Sequence, residues 1–341
     1  MVRALICEDS ATYAGVLRRA LEHDGDIAVA ATCATAEAAI AALPRVAPDV
    51  VTMDIELPGM DGLAAVEEIM GRQPLPVVVI SVHAGARKAA AALAAGALDV
   101  IAKDGLDLHD PAGVAAAAFR HRVRMLSRAR VIRHPRAPLR DAAGPREPGR
   151  GVSVIGICAS TGGPYALARL LGDLPAGYPV PILVVQHISA GFAEGLATWL
   201  DQTVPIAVAM AADGAPAAPG AWLAPPGAHL ELAVTRRLRL DRHTAAGPHR
   251  PSGDVLLGSI AEVAGPAGVA VVLSGIGRDG ASGAAAVRRR GGLVIAQDEE
   301  SSAVYGMPRA AMAGGSGLVL PPDEIAACLS GLRHLPLAMA P

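Results

Sequence analysis

Short apolar runs alternate with stretches of helical periodicity through the first ~120 residues of this 341-residue chain. Strands are predicted at 3–7, 27–31, 50–53, 77–81 and 99–102. Helices are predicted between them, and a last helix at about 111–130. Apolar runs joined by helices are typical of strands that pair in parallel and are covered on both faces. The pattern therefore predicts a flavodoxin-like, doubly wound parallel sheet of five βα units over residues 1–122.

A second βα series begins near residue 151, after a change in composition. Residues 123–150 hold the end of the preceding helix and a segment rich in proline, arginine and glycine, which indicates a linker. Residues 221–240 resemble hairpins more than a helix, so the second sheet is expected to be mixed. An α/β domain with a doubly wound mixed sheet is therefore predicted over residues 151–335. Its other strands are expected at 152–157, 181–186, 268–273 and 293–296.

Composition limits the classes of partner. Aromatic residues make up only 2% of the chain and the net charge is −2, which disfavours base-stacking modules and any general electrostatic attraction to nucleic acid or membranes. Acidic residues occur too early for a signal peptide, and no apolar stretch is long enough to span a bilayer. We therefore expect neither nucleic-acid binding nor direct membrane insertion.

The cysteines indicate the compartment. They are far apart and form no CxxC pair, so a zinc site or a disulfide framework is disfavoured and a reducing cytoplasm is favoured. The four residues are Cys7, Cys33, Cys158 and Cys328.

Polar side chains follow the predicted strands of the first domain at the ends that meet in one crevice. The carboxylates of Glu8, Asp9 and Asp54 would repel one another there unless a divalent cation joined them, and Mg²⁺ prefers such oxygen ligands. Lys103 and Ser81 follow two further strands, and could neutralise and hydrogen-bond a transferred phosphoryl group. The set predicts a phosphoacceptor site.

The second domain has a serine at a comparable strand end. Ser160 follows the run 152–157 and precedes a glycine-rich turn that opens a predicted helix. Unpaired N–H groups at the start of a helix can stabilise negative charge on a neighbouring oxygen. This position therefore suits the nucleophile of an acyl-transfer enzyme. Cys158 could compete as a nucleophile, although its place within the strand end favours a small buried filler.

Two further strand ends supply candidate partners for this serine. His187 follows the run 181–186 and Asp279 follows the run 268–273, so the three residues could form a nucleophile, base and orienting carboxylate. Each partner has an ordinary alternative, because His187 could cap the next helix and Asp279 could be a plain N-cap. Residues 241–249 could be read as metal ligands, but a loop at the rim of the site is favoured.

The first ~120 residues resemble the receiver domain of two-component response regulators. The resemblance implies phosphorylation of Asp54 by a histidine kinase with Mg²⁺, Glu8 and Asp9 as the acidic pair, Ser81 as the switch hydroxyl and Lys103 as the signature lysine. Two positions depart from that family. Val100 stands where an aromatic residue is common, and Asp104 stands where proline usually follows the lysine.

Residues 152–332 resemble the catalytic domain of chemotaxis protein-glutamate methylesterases. The resemblance implies that Ser160 is the nucleophile, His187 the general base and acid, and Asp279 the orienting carboxylate. We predict that N–H groups around Thr161 and Gly162 form part of the oxyanion hole. Departures from the family occur at Cys158, Ile276 and Arg278, and Arg278 is expected to alter how an acidic receptor segment docks. The matching segments are 159–163, 186–187, 249–252, 254–256, 274–275, 279–280 and 305–309.

The two resemblances together imply a phosphorylation-activated hydrolase of chemotaxis adaptation. Its substrates would be glutamate γ-methyl esters on the cytoplasmic helices of methyl-accepting chemoreceptors, and it could also deamidate receptor glutamines. A chemotaxis histidine kinase would supply the phosphoryl group, and the receiver would act as a lid that opens in a graded way. Two alternatives stay open: an output domain that only binds a partner, and a substrate from another sensory array.

Overall fold

The computed structural model describes residues 1–81, 86–129, 131, 151–244 and 247–335. They fall into two compact units, one within residues 1–136 and one within residues 137–341. Most of the predicted linker, residues 123–150, lies outside the described residues. None of the helices in the described ranges is long and apolar enough to cross a bilayer.

The first unit is a five-stranded sheet in the order β2-β1-β3-β4-β5, and every neighbouring pair is parallel. The predicted five-unit architecture is confirmed. The last helix is shorter than predicted because Gly113, in an extended conformation, precedes its first turn. The elements are β1 (Val2–Cys7), α1 (Ala11–Glu22), β2 (Ile27–Cys33), α2 (Ala36–Val46), β3 (Val50–Met53), α3 (Gly62–Arg72), β4 (Val77–Ser81), α4 (Ala86–Ala94), β5 (Asp99–Ala102) and α5 (Val114–Leu126).

Local sequence explains where three of these helices begin. Ser10, Thr35 and Asp61 precede α1, α2 and α3, and each side chain accepts a hydrogen bond from the backbone N–H three residues on. β3 and β4 are buried along their whole length, as expected for central strands with helices on both faces. Consequently the side chains that end these strands lie at one rim of the sheet.

The second unit contains a seven-stranded sheet in the order β15-β14-β13-β7-β8-β10-β9, and the two-stranded sheets β11-β12 and β16-β6. The elements are β6 (Gly151–Val152), β7 (Val154–Ala159), α6 (Gly163–Gly172), β8 (Pro181–Gln186), α7 (Ala193–Thr203), β9 (Val208–Met210), β10 (Gly220–Leu223), β11 (His229–Leu232), β12 (Leu238–Asp241), α8 (Gly253–Ala264), β13 (Gly268–Val272), α9 (Ala281–Arg289), β14 (Leu293–Gln297), α10 (Gly306–Met312), β15 (Leu318–Leu320), α11 (Pro322–Gly331) and β16 (Arg333–His334).

The prediction that this sheet is mixed is wrong. All neighbouring pairs in the seven-stranded sheet are parallel. The region 221–240 was expected to form hairpins, but it begins with β10, which pairs in parallel with β8. Only β11 and β12 form an antiparallel hairpin, and they pair with each other. Leu230, Leu232 and Leu238 of this hairpin are buried in the core that also contains α8, which explains why the hairpin leaves the main sheet.

The order of the strands creates a crevice at the centre of the sheet. The chain passes from β7 to β8 on one side, and later returns to place β13 on the other side of β7. Such a reversal of strand order is where ligands bind in open α/β sheets, outside the carboxyl ends of the strands. Ser160, His187 and Asp279 all follow strands of this central trio.

Candidate active site and phosphoacceptor site

Ser160 is held at the carboxyl end of β7 by its own backbone. Its N–H donates to the carbonyl of Ser274 (3.0 Å), and its carbonyl accepts from the N–H of Gly163 (2.8 Å). Gly275 lies against it, because a Cβ atom on this glycine would come within 2.8 Å of the Ser160 Cβ. Glycine is therefore required at position 275 for the strand end of β13 to approach the candidate nucleophile so closely.

His187 continues β8 next to this serine. Its backbone N–H donates to the carbonyl of Ala159 (2.9 Å), which extends the pairing of β7 with β8 by one residue. Its Nε2 lies 2.8 Å from Oδ2 of Asp279, and its side chain is 13% exposed. With the proton on Nε2 and donated to the carboxylate, Nδ1 carries the lone pair and can accept a proton. The structure therefore brings into contact His187, which follows β8, and Asp279, which lies in the turn after β13.

The Asp279 carboxylate lies at the start of α8. Besides His187, it accepts hydrogen bonds from the N–H of Gly253 (2.6 Å), the N–H of Asp254 (3.1 Å) and the hydroxyl of Ser252 (2.8 Å). Burial raises the pKa of Asp279, but these hydrogen bonds outweigh burial and hold its pKa below the ordinary value. The carboxylate is therefore ionised whenever the histidine needs a negative partner.

The simpler reading of Asp279 as a plain N-cap is wrong. The N-cap of α9 is Gly280, in a left-handed conformation with φ of 86°, and no side chain caps that helix. The carboxylate of Asp279 caps α8 instead, a helix that begins 26 residues earlier. A helix N-terminus favours negative charge, so α8 stabilises the ionised carboxylate.

Gln186 is a site residue that the sequence interpretation did not single out. It is buried, and its Nε2 donates to the carbonyls of both Ser160 (2.8 Å) and His187 (3.0 Å). Gly163 makes room for it, since a Cβ atom there would lie 2.2 Å from the Gln186 Oε1. One amide thus joins the backbone of the candidate nucleophile to that of the candidate base. In the sequence, the position of this glutamine directly before His187 was the signal that could have identified it as a site residue.

His249 is the second residue that the sequence interpretation did not assign. Its ring stacks on that of His187, with centroids 4.3 Å apart and planes inclined by 18°. The rim-loop interpretation of residues 241–249 therefore fits, because this end of the segment contacts the active site. As for the metal-ligand alternative, the described residues of that segment form no three-ligand cluster.

The candidate oxyanion donors lie in the turn between β7 and α6. Gly162 is the N-cap of α6 with φ of 75°, and the carbonyl of Thr161 accepts from the buried hydroxyl of Ser274 (2.7 Å). The N–H groups of Thr161 and Gly162 donate no hydrogen bond within the described ranges. Both N–H groups belong to the two residues that follow Ser160, and their role as oxyanion donors stays a prediction.

The candidate phosphoacceptor site lies at the rim of the first sheet. Nζ of Lys103 donates to Oδ2 of Asp54 (2.6 Å) and to Oε2 of Glu8 (2.7 Å), and all three side chains are buried. Burial opposes the charge on Lys103, but the two carboxylates outweigh it and raise its pKa. Burial also raises the pKa of Glu8, against the effect of Lys103. The ring of Tyr13 lies 4.5 Å from the ammonium group.

Carboxylates suitable for a divalent cation lie together at this rim. Ligand oxygens of Glu8, Asp9 and Asp54 are within 4.8 Å of one another, and Asp9 is exposed. A set of hard oxygen donors fits Mg²⁺ and would suit a softer metal poorly. Ser81 is fully buried at the end of β4, and its hydroxyl has no hydrogen-bond partner in the described part of the chain.

Comparison with known proteins assigns the family. Residues 155–329 match the family described as CheB methylesterase, and residues 4–108 match the response regulator receiver domain. Protein-glutamate methylesterase/protein-glutamine glutaminase 4 of Myxococcus xanthus is 39% identical over 323 residues, covering 90% of each chain. A relative of the same name from the group 3 operon of Rhizobium meliloti is 37% identical and covers 98% of this chain and 97% of its own. The crystal structure of the Thermotoga maritima CheB methylesterase catalytic domain matches with a TM-score of 0.51 and 38% identity, over 52% of this chain and 97% of that one.

The chain belongs to the CheB methylesterase family. Both resemblances predicted from the sequence are confirmed, and the predicted fold class is that of the matched catalytic domain apart from the mixed sheet. The departures noted in the sequence now have places in the fold. Val100 is buried in β5, whereas Asp104 is exposed directly after Lys103.

Cys158 is the departure nearest the candidate nucleophile. It is fully buried beneath the active site, where it packs against Gly253 and Gly280; a Cβ atom on either glycine would lie within 3.2 Å of it. Burial raises the pKa of its thiol, and the charges of Asp279 and Asp254 raise it further. A thiol that is neutral and inaccessible is a poor nucleophile, which favours the buried-filler interpretation.

Arg278 is the departure at the surface of the site. Its side chain is exposed and lines a cleft of about 580 Å³ together with Asp279, Ser252 and His249. Ile276 lies two residues earlier in the same turn and is partly buried. Arg278 therefore places a positive charge at the rim of the cleft that Asp279 and His249 line.

Proposed function

We propose that this chain hydrolyses glutamate γ-methyl esters in proteins and that phosphorylation of Asp54 raises the rate. Membership of the CheB methylesterase family supports the activity, as do relatives named protein-glutamate methylesterase/protein-glutamine glutaminase that match over 90% or more of the chain. The observation that carries the chemistry is the bond between His187 and Asp279, which follow the two strands that flank β7, the strand before Ser160.

The first half of the reaction forms an acyl-enzyme. The Ser160 hydroxyl attacks the ester carbonyl while Nδ1 of His187 takes its proton, and Asp279 stabilises the imidazolium through Nε2. The carbonyl oxygen becomes negative and receives the N–H groups of Thr161 and Gly162, each typically worth about 3 kcal/mol. The carbonyl then reforms, the bond to the methoxy oxygen breaks, and the imidazolium returns its proton to that oxygen, which leaves as methanol.

The second half regenerates the serine. A water molecule gives its proton to the neutral His187 and attacks the acyl carbonyl, and the same N–H groups bind the oxyanion. Collapse of this intermediate breaks the bond to the Ser160 oxygen, which recovers a proton from the imidazolium. The product is a free glutamate side chain. A glutamine side chain would follow the same route with ammonia as the leaving group, in keeping with the second half of the relatives' name.

The receiver site fits a role as the switch. A chemotaxis histidine kinase would donate the phosphoryl group, and a carboxylate oxygen of Asp54 would accept it. Mg²⁺ would be held by Glu8, Asp9 and Asp54, and would neutralise charge on the phosphoryl oxygens. Lys103 would move from the carboxylate pair to the new phosphoryl group, which carries more negative charge than the carboxylate it modifies.

Membership of the same family supports a substrate and a compartment. The substrate would be the methylated cytoplasmic helices of chemoreceptors, and the protein would act in the cytoplasm. The receiver match supports a kinase partner, and the methylesterase match supports a receptor substrate. An acidic substrate is also supported by the exposed Arg278, which lines a cleft together with Asp279 of the candidate triad.

The test is release of methanol from methyl-labelled chemoreceptor membranes, with and without a small-molecule phosphodonor and Mg²⁺. We expect release that rises with the phosphodonor, is abolished by Ser160→Ala, and stays basal in Asp54→Asn. Ser316→Ala, at an exposed position, is the matched control and should behave as wild type. Failure of the wild type to release methanol from any receptor preparation, despite phosphorylation of Asp54, would instead support an output domain that only binds a partner.

A further inference from the structure

The ring of His249 covers one face of the candidate general base. The two imidazoles are nearly parallel, at 18°, with centroids 4.3 Å apart. The two rings are therefore stacked in close contact, slightly nearer than the ~4.5 Å at which the usual range of aromatic pairs begins. His249 contacts the base, and no step of the proposed reaction uses it.

The loop that carries His249 is fixed from both sides. The guanidinium of the next residue, Arg250, donates to the carbonyls of Arg242 (2.8 Å) and Thr244 (2.7 Å). After Pro251, the hydroxyl of Ser252 donates to Asp279. The ring of His249 is thus held by the same segment that holds the orienting carboxylate.

A ring stacked on the face of an imidazole leaves the edge of that imidazole free. Both nitrogens of His187 lie on its edge, so Nε2 can bond Asp279 while Nδ1 points out of the stack in the same plane. Rotation of the His187 ring about its last side-chain bond would break the stack and the bond to Asp279 together. The stack therefore restrains the one torsion that aims Nδ1.

The charged neighbours of His249 keep its ring suited to this role. His187 contacts it directly, and Asp254, Arg278 and Asp279 line the same cleft. Burial and the charge that His187 can carry lower the pKa of His249, against the effect of Asp279. A lowered pKa favours the neutral form of the outer ring, so that its face lies on His187 without adding a second positive charge.

We propose that His249 is a positioning residue whose ring holds the imidazole of His187 in the orientation in which Nε2 bonds Asp279 and Nδ1 stays free to act as the base. The inference rests on the proposed function, because it concerns the same active site. A neutral aromatic ring should be able to replace His249, whereas an aliphatic side chain of similar volume should not. A role in filling space alone would make no such distinction.

The experiment compares His249→Phe with His249→Leu and His249→Met in the full chain. We expect the Phe variant to keep kcat within about threefold of wild type, and the two aliphatic variants to lose roughly tenfold to a hundredfold, as displaced catalytic groups do. KM should be unchanged in all three. Thermal unfolding checks each fold, and the second aliphatic variant covers the case in which the first fails to fold.

A spectroscopic readout accompanies the kinetics. In protein labelled at histidine, the ring-proton resonances of His187, assigned with a His187→Gln variant, should keep their stacking shift in His249→Phe and lose it in the aliphatic variants. Two results would overturn the inference about His249 and leave the proposed function standing. One is that the aliphatic variants are as active as His249→Phe; the other is that all three variants lose activity while the His187 resonances stay unmoved. A wild type that releases no methanol would overturn the proposed function as well.

Discussion

Replacing Asp279 by asparagine tests the orienting carboxylate, since the change preserves the shape of the side chain. The carboxylate accepts four hydrogen bonds: Oδ2 from His187 and Gly253, and Oδ1 from Ser252 and Asp254. An amide offers an acceptor at one position only. If its oxygen takes the place of Oδ2, its NH₂ group faces the N–H of Asp254; if the amide is turned over, the NH₂ group faces the N–H of Gly253.

Each orientation therefore leaves one N–H at the start of α8 unpaired, which costs about 2 kcal/mol. For a unit of this size the cost corresponds to roughly 4–8 °C in Tm. The turned orientation also forces Nε2 of His187 to accept, which places the proton on Nδ1 and removes the base. Both orientations remove the negative charge that stabilises the imidazolium. We expect kcat to fall about 10⁴-fold, which is the magnitude known for the same substitution in a serine protease triad.

The assay is methanol release by Asp279→Asn, together with thermal unfolding between pH 3 and pH 7. Because the pKa of Asp279 is held below its ordinary value of 3.8, the carboxylate contributes stability that is fully present above that pH and is lost as the pH falls through the folded-state pKa. The stability difference between wild type and variant should therefore shrink below about pH 4. A variant with kcat within tenfold of wild type would refute the assigned role.

Three further changes test other parts of the account. Gly162→Ala should lower kcat about tenfold or more and reduce Tm, because φ is 75° there and an added methyl would lie 2.5 Å from a neighbouring methyl carbon; unchanged kinetics would count against the oxyanion assignment. Lys103→Met should destabilise the receiver by about 3 kcal/mol at pH 7 in calorimetry, because the Glu8 and Asp54 carboxylates remain buried together. Burial raises the pKa of Glu8, so a lower pH protonates that carboxylate and relieves the variant; a loss that did not shrink at lower pH or with added Mg²⁺ would contradict this explanation. Arg278→Asn should raise KM about threefold for methyl esters with acidic flanks at low salt and leave neutral-flanked esters unchanged; equal effects on both would argue against recognition of acidic substrates.

Most of the fold could be predicted from the apolar runs. The strands at 50–53, 77–81, 99–102 and 181–186 have the observed bounds, since a parallel strand buried on both faces is a short continuous apolar run. The short strands Val208–Met210 and Leu318–Leu320 at the edges of the second sheet were missed because they contain only three residues each. The error about the mixed sheet arose because pairing direction is decided by distant strands and leaves no local pattern.

The candidate site, like the fold, could be predicted only in part. The strand ends at Ser160, His187 and Asp279 could be predicted, because each follows an apolar run and enters a turn. The contacts that hold them could not, since Asp279 caps a helix that starts 26 residues earlier and His249 reaches His187 from 62 residues away. Such partners are brought together by the packing of α8 and its preceding loop, and neither carries a periodic signal.

Covalent labelling of the nucleophile tests the central claim most directly. The full chain is treated with a fluorophosphonate, which phosphonylates activated serines, and the modified peptide is identified by mass spectrometry. We expect a single adduct on Ser160, with labelling strongly reduced in His187→Ala and Asp279→Asn and unchanged in Cys158→Ala. An adduct on Cys158, or a hydrolytically active protein in which Ser160 is never labelled, would contradict the account.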